Sequence, residues 1–226
     1  MDESVSRDGY AIVGIGCRFP GGADTPGRFW EMLRSGADAI REVPDDRADW
    51  KRLFDPDQSK AGRLYTRWGG FLERVDEFDA RFFGISPREA ARIDPQQRLL
   101  LEVVWEAFED AGLPIDGCAG SSTGVFVGIS THDYADIQMY PQNRREIDAY
   151  SNSGGAGSIA ANRVSFVYDF RGPSVAVDTA CSSALTAVHL ACNSLRAGDC
   201  SLAIAGGVQL ILNPELTIGF CRATML

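Results

Sequence analysis

Apolar positions in this chain alternate between short runs and helical stripes. Residues 10–16 form the first run and predict a buried strand. Thr25 as N-cap, Pro26 behind it, Phe29, Trp30 and Leu33 at helical spacing and Gly36 as terminator predict a helix. Residues 37–70 are charged and broken by Pro44 and Pro56, a long surface excursion anchored by Trp50, Phe54, Tyr65 and Trp68. Capping boxes at Ser86-Pro87-Arg88-Glu89 and Asp94-Pro95-Gln96-Gln97 each predict a helix start. The second opens an amphipathic helix with Leu99, Leu100, Val103, Val104, Ala107, Phe108 and Ala111 inward and Gly112 after it.

The second half continues the alternation. Residues 124–130 read as a strand, 131–150 as polar and irregular, and 151–157 as a glycine- and serine-rich approach to a helix over 158–168. Ser174–Val177 reads as a buried strand and 182–197 as a helix closed by Gly198. Two strands, 201–205 and 208–212, are parted by Gly206-Gly207, and Asn213-Pro214 marks a turn before a helical stretch. Residues 1–9 are polar and expected to be disordered. The order predicts an α/β fold with mostly parallel pairing.

The chemistry concentrates at Cys181, on the turn between the strand at 174–177 and the helix after it. Helix N-termini lower a cysteine's pKa and offer N–H groups to an oxyanion. A strand-turn-helix corner also exposes a nucleophile, as in serine hydrolases. The competing reading is a cysteine that merely packs. The helix carries only one charge, Arg196, and sets Leu185, Val188, Cys192 and Leu195 on one face, so it is expected to be buried all round, between two layers. His189 lies two turns from Cys181, roughly 12 Å along the axis, and reads as a packed core histidine. His132 reads as a loop histidine without catalytic duty.

Composition narrows the field. The 226 residues are 45% hydrophobic, enough for a substantial core, and the net charge of −9 argues against nucleic acid or an anionic membrane as partner. No run is long enough to span a membrane and no signal peptide is visible, so a cytoplasmic protein is expected. The six cysteines are scattered without Cys-x-x-Cys spacing, which fits reduced thiols, and two histidines make a zinc site improbable. Gly14-x-Gly16 follows the first apolar run, but Phe19 stands where a dinucleotide fingerprint needs glycine.

Four stretches then resemble one family. Ala-Ile-Val-Gly-Ile-Gly-Cys-Arg-Phe-Pro-Gly-Gly (11–22), Phe-Phe-Gly-Ile-Ser-Pro-Arg-Glu-Ala (82–90), Asp-Pro-Gln-Gln-Arg-Leu-Leu-Leu-Glu (94–102) and Val-Asp-Thr-Ala-Cys-Ser-Ser-Ala-Leu (177–185) resemble the β-ketoacyl synthase domains of modular type I polyketide synthases. The resemblance implies a thiolase-like fold of two stacked α/β halves, with residues 10–226 forming the N-terminal half. It implies a homodimer whose sheets join across the two-fold, with 151–168 near that interface. Cys181 would be the acylated nucleophile. No cofactor is bound directly; substrates ride on the phosphopantetheine of an acyl carrier protein.

The family's two C-terminal histidine motifs are absent here, and neither His132 nor His189 matches them. The chain is therefore expected to lack its C-terminal half, to be inactive in condensation alone, and to expose apolar surface where that half would lie. Arg144-Arg145 is a candidate for docking an acidic carrier, against the simpler reading of a solvated pair. Two rivals remain: a noncatalytic dimerisation or scaffold fragment, and a cysteine hydrolase needing His132 within reach of the thiol.

Overall fold

The computed structural model describes residues 9–47 and 50–226, so most of the expected disordered N-terminus lies outside the described residues. Residues 10–16 form no strand and join no sheet, and Ile12 is 83% exposed. This corrects the buried strand. The two glycines instead let the segment lie directly on a helix backbone. A Cβ on Gly14 would stand 2.1 Å from the Ala107 carbonyl oxygen, and one on Gly16 2.3 Å from that of Val103.

Helix α1 (Pro26–Ser35) starts as expected, with Thr25 Oγ1 accepting from the Arg28 N–H, and ends at Gly36 with φ of 64°. The excursion after it holds β1 (Arg41–Glu42), α2 (Trp50–Leu53) and β2 (Trp68–Gly69), with β1 and β2 paired antiparallel. Trp50 is buried with Val43, Leu64, Phe71 and Cys221, whereas Trp68 is exposed. Helix α3 (Pro87–Ala90) is a single turn whose Ser86 hydroxyl accepts from the Glu89 N–H.

Helix α4 (Pro95–Asp110) begins at the second capping sequence, but the reciprocal box is not made. Asp94 accepts from the Gln96 N–H, while the Gln97 amide turns away to donate to Gly154 O at 2.8 Å and accept from Arg163 Nε at 2.7 Å. Strand β3 (Thr123–Gly128) follows. The region expected to be irregular contains α5 (Asp133–Met139) and a 3-10 turn at Pro141–Glu146. Then come α6 (Ser151–Gly155), α7 (Ile159–Val167), β4 (Ser174–Val177), α8 (Ser183–Ala197), β5 (Leu202–Gly207) and α9 (Glu215–Arg222). Strand β5 runs through Gly206-Gly207, and 208–212 is loop rather than a further strand.

The main sheet is parallel, in the order β4-β3-β5. Strand β3 is buried throughout, and its alternation divides the core. Val125 and Val127 enter one cluster with Leu101, Val104 and Phe108 of α4 and Ala160, Ala161 and Val164 of α7. Phe126 points the other way, to Ala187 and Ala191 of α8. Helices therefore cover both faces, as parallel sheets require. Strand β4 lies at the edge and is only partly buried, which corrects the fully buried strand.

Helix α8 meets the sheet through its small residues, Ser183, Ala187, Ala191 and Ser194. Its larger apolar face looks outward, and Leu185 is 76% exposed. The helix is thus not buried all round; one covering layer is present. His189 shares that outer face, exposed, with its Nε2 2.9 Å from Asn193 Nδ2, so it is not a core histidine.

Close approach governs the contact. A Cβ on Gly128 would lie 2.5 Å from Ser183 C and 2.6 Å from Ala184 N, and both are backbone atoms that cannot yield without moving the helix. Gly128→Ala is expected to lower stability by about 1–3 kcal/mol. The check is urea unfolding, with a lower midpoint at unchanged slope.

Candidate active site

Strand β4 ends at Val177, and three residues turn the chain before Cys181. Asp178 Oδ1 accepts from the Ala180 N–H at 2.9 Å, a local turn of the kind aspartate favours. Ala180 sits at φ of 55°, in the left-handed region that costs a non-glycine residue on the order of 1 kcal/mol. Two hydroxyls beyond the cysteine hold that conformation. Ser183 Oγ donates to Ala180 O at 2.7 Å and accepts from the Thr179 N–H at 2.9 Å. Ser182 Oγ donates toward Thr179, 2.8 Å from both its carbonyl and its hydroxyl oxygen. Ser130, just past β3, places its hydroxyl 3.3 Å from Ser183 Oγ and ties the corner to the central strand's loop.

Cys181 is exposed and borders a cavity of 440 Å³. Leu99 and Val103 of α4, Phe71, Leu210 and Ile211 supply apolar walls, and Gly128 and Ser130 lie beside the corner. The cavity pairs a soft nucleophile with room for an alkyl chain. Cys17 also borders it but is buried, and burial pushes its thiol up from the ordinary cysteine range. The six cysteines are free.

The sequence reads as this geometry does. Residues 9–226 match the family model of the β-ketoacyl synthase N-terminal domain. The chain belongs to the β-ketoacyl synthase family. It is 51% identical over 216 residues to one of the phenolphthiocerol/phthiocerol polyketide synthase proteins of Mycobacterium tuberculosis, covering 96% of this chain and 12% of that one. It is 48% identical to an erythronolide synthase of Saccharopolyspora erythraea, covering 95% of this chain and 7% of the relative. Among solved structures, the oxazolomycin ketosynthase domain of Streptomyces albus superposes with a TM-score of 0.88 at 42% identity, over 95% of this chain and 36% of that one. The module 6 ketosynthase of the bacillaene synthase of Bacillus subtilis superposes at 0.80 with 33% identity, over 96% and 34%. The fold is the thiolase-like fold of these ketosynthases, and the chain spans about a third of their length.

Neither histidine of this chain borders the cavity. His132 is exposed at the start of α5, against Gly157, where an added Cβ would meet its Cε1 at 2.9 Å. The hydrolase arrangement, with His132 on the thiol, is not formed. Among the described residues no cluster of three or more His, Cys, Asp or Glu side chains is placed to hold a metal. No helix among them is long and apolar enough to cross a membrane.

Sequence reasoning placed Cys181 and missed its supports. Ser182 and Ser183 carried a signal, since hydroxyls at a helix start commonly bond nearby backbone. Ser130 carried none, because its partner is 53 residues away. With limiting iodoacetamide at neutral pH, Cys181 is expected to be labelled at least about tenfold faster than buried Cys17, Cys200 and Cys221. Peptide mass mapping over time reads the order directly.

Proposed function

We propose that this chain forms the N-terminal half of a ketosynthase domain in a modular polyketide synthase, and that Cys181 holds the acyl chain to be extended. One observation carries the reading: an exposed thiol on a braced corner bordering a largely apolar cavity. In loading, the Cys181 sulfur attacks the carbonyl carbon of an acyl thioester on a carrier protein's phosphopantetheine. The new carbon–sulfur bond forms as the carrier sulfur leaves with its electron pair and takes up the proton that Cys181 gave up. In condensation, a malonyl-type extender on a carrier thiol loses carbon dioxide. The electron pair left on its α-carbon attacks the Cys181 thioester, a carbon–carbon bond forms, and Cys181 departs as thiolate.

The enolate requires hydrogen-bond donors that neither His132 nor His189 supplies here. The family resemblance assigns them to two histidines of the C-terminal half. That half would also cover the outer face of α8 around Leu185 and Val188, and Ile12 on the N-terminal segment, all exposed in this chain. Losing one oxyanion donor costs about 2.7–4 kcal/mol, and losing acid–base assistance a further ~10²–10⁴-fold. The isolated chain is therefore inactive in condensation.

Two partners follow. A second copy fits the edge strand β4, because an unpaired parallel edge is a template for another strand and Phe166 on α7, packed beside it, is 85% exposed. An acidic carrier protein has Arg144 and Arg145 available on the exposed 3-10 turn, with Arg145 bordering a groove beside Arg88 and Arg92. The latter two already pair with Asp148 and Glu146, at 3.2 and 3.6 Å, which leaves the groove less basic than its arginines alone would make it.

In the complete ketosynthase domain, native protein is expected to gain the mass of one acyl group from an acyl thioester, and Cys181→Ala to gain none. Equal loading of both removes Cys181 from the mechanism, and β-ketoacyl product made by the 226-residue chain alone contradicts the need for the second half. Phe166→Glu is expected to shift the complete domain from dimer toward monomer by at least about tenfold in dissociation constant. Sedimentation velocity across a concentration series measures it.

A further inference from the structure

The loop after β5 forms part of the cavity wall, through Leu210 and Ile211, yet little backbone pairing holds it. Val208 N–H donates to Gly128 O at 3.0 Å, and beyond that point two buried side chains take over as amide partners. Leu210 N–H donates to Gln96 Oε1 at 3.2 Å. Leu212 and Asn213 N–H both donate to Asp133 Oδ2, at 2.9 and 3.1 Å. Gln96 is 1% exposed and Asp133 6%, and neither borders the cavity.

Gln96 reaches a second loop as well. Its Nε2 donates to Thr131 O at 3.2 Å and to Asp94 Oδ2 at 3.2 Å, and its Oε1 accepts from Thr131 Oγ1 at 3.2 Å. The amide is fully used, two donors and two acceptances. Thr131 follows Ser130, whose hydroxyl lies against Ser183 under the Cys181 corner. One buried amide therefore links the loop beside the nucleophile to the loop that carries Leu210 and Ile211 of the cavity wall. Side chains that satisfy otherwise orphaned backbone donors hold a loop in place, since an unpaired buried donor is costly.

We propose that Gln96 and Asp133 are positioning residues for acyl loading: by fixing the 208–213 loop they set the width of the cavity and thus which acyl chains Cys181 accepts. This rests on the reading of Cys181 as the loaded thiol. The experiment uses the complete ketosynthase domain with acetyl and hexanoyl thioesters of N-acetylcysteamine, reading the loading rate at Cys181 by intact mass. Asp133→Ala and Gln96→Met are expected to lower the hexanoyl-to-acetyl rate ratio by about fivefold or more. Iodoacetamide labelling of Cys181 should stay within about twofold. Asp133→Asn keeps an oxygen for both N–H groups and should hold the native ratio. A native ratio in Asp133→Ala, or an Asn variant as impaired as the Ala one, overturns the proposal. If the disruptive variants do not fold, hydrogen exchange in the native domain decides. Leu210, Leu212 and Asn213 amides should exchange at least about 100-fold slower than in an unstructured peptide, and free exchange overturns the assignment. A native domain that takes no acyl group on Cys181 defeats the loading reading itself, whereas native loading with unchanged selectivity in the variants defeats only the positioning role.

Discussion

The close contact between Gly128 and the first turn of α8 fixes where Cys181 stands. Strand β3 is the middle of the sheet and buried on both faces, so it cannot shift without disturbing two clusters. Because glycine ends that strand, the backbone of Ser183 and Ala184 comes down to within what a single methyl would occupy. Ser183 is thereby driven into the interior, where its hydroxyl braces the turn that holds Cys181 out. Remove the close approach and the corner loses its floor, leaving the strained Ala180 with the Asp178 and Ser182 hydrogen bonds alone.

Polar side chains, not only apolar ones, hold the layers in register. Arg163, Gln97 and Glu89 link α7, α4 and α3, with Arg163 Nη1 2.9 Å from Glu89 Oε1. Gln97 closes on the carbonyls of α6, and Gln96 and Asp133 close on the loops around the cavity. Such groups are tolerated in the interior because each has its partners. They also share a location. The N-terminal end of α4 and the loops after β3 and β5 gather at one end of the sheet, where the C-terminal ends of parallel strands usually carry a site.

Local rules of the chain were legible where the interaction itself is local. The starts of α1 and α3, the Gly36 and Gly198 terminators and the strand-turn-helix around Cys181 were read from neighbours in sequence, and those bonds span only a few residues. Misreadings came where a distant partner decides. Residues 10–16 have the composition of a strand but no strand beside them, and their glycines answer to a helix nearly a hundred residues on. Residues 208–212 are apolar enough for a strand, yet the Leu210 and Leu212 amides find side chains instead. The capping sequence at Asp94 was right about the helix and wrong about Gln97, whose amide is claimed by α6 and α7.

By itself the sequence determined that the chain is α/β, that α1, α3 and α4 start at their capping residues, that α1 and α8 end at Gly36 and Gly198, and that one cysteine stands at a helix start. Those outcomes depend on backbone geometry and on contacts within a turn or two. Only the tertiary structure decided which face of α8 meets the sheet. Periodicity groups Leu185 and Val188 on one side but cannot say which side is covered, and a helix that must approach a glycine-ended strand closely turns its small residues inward. The same constraint placed His189 in solvent and brought Cys181 to the cavity, and the 208–213 loop beside it bonds Gln96 and Asp133, since distances between layers are set by packing and not by spacing along the chain.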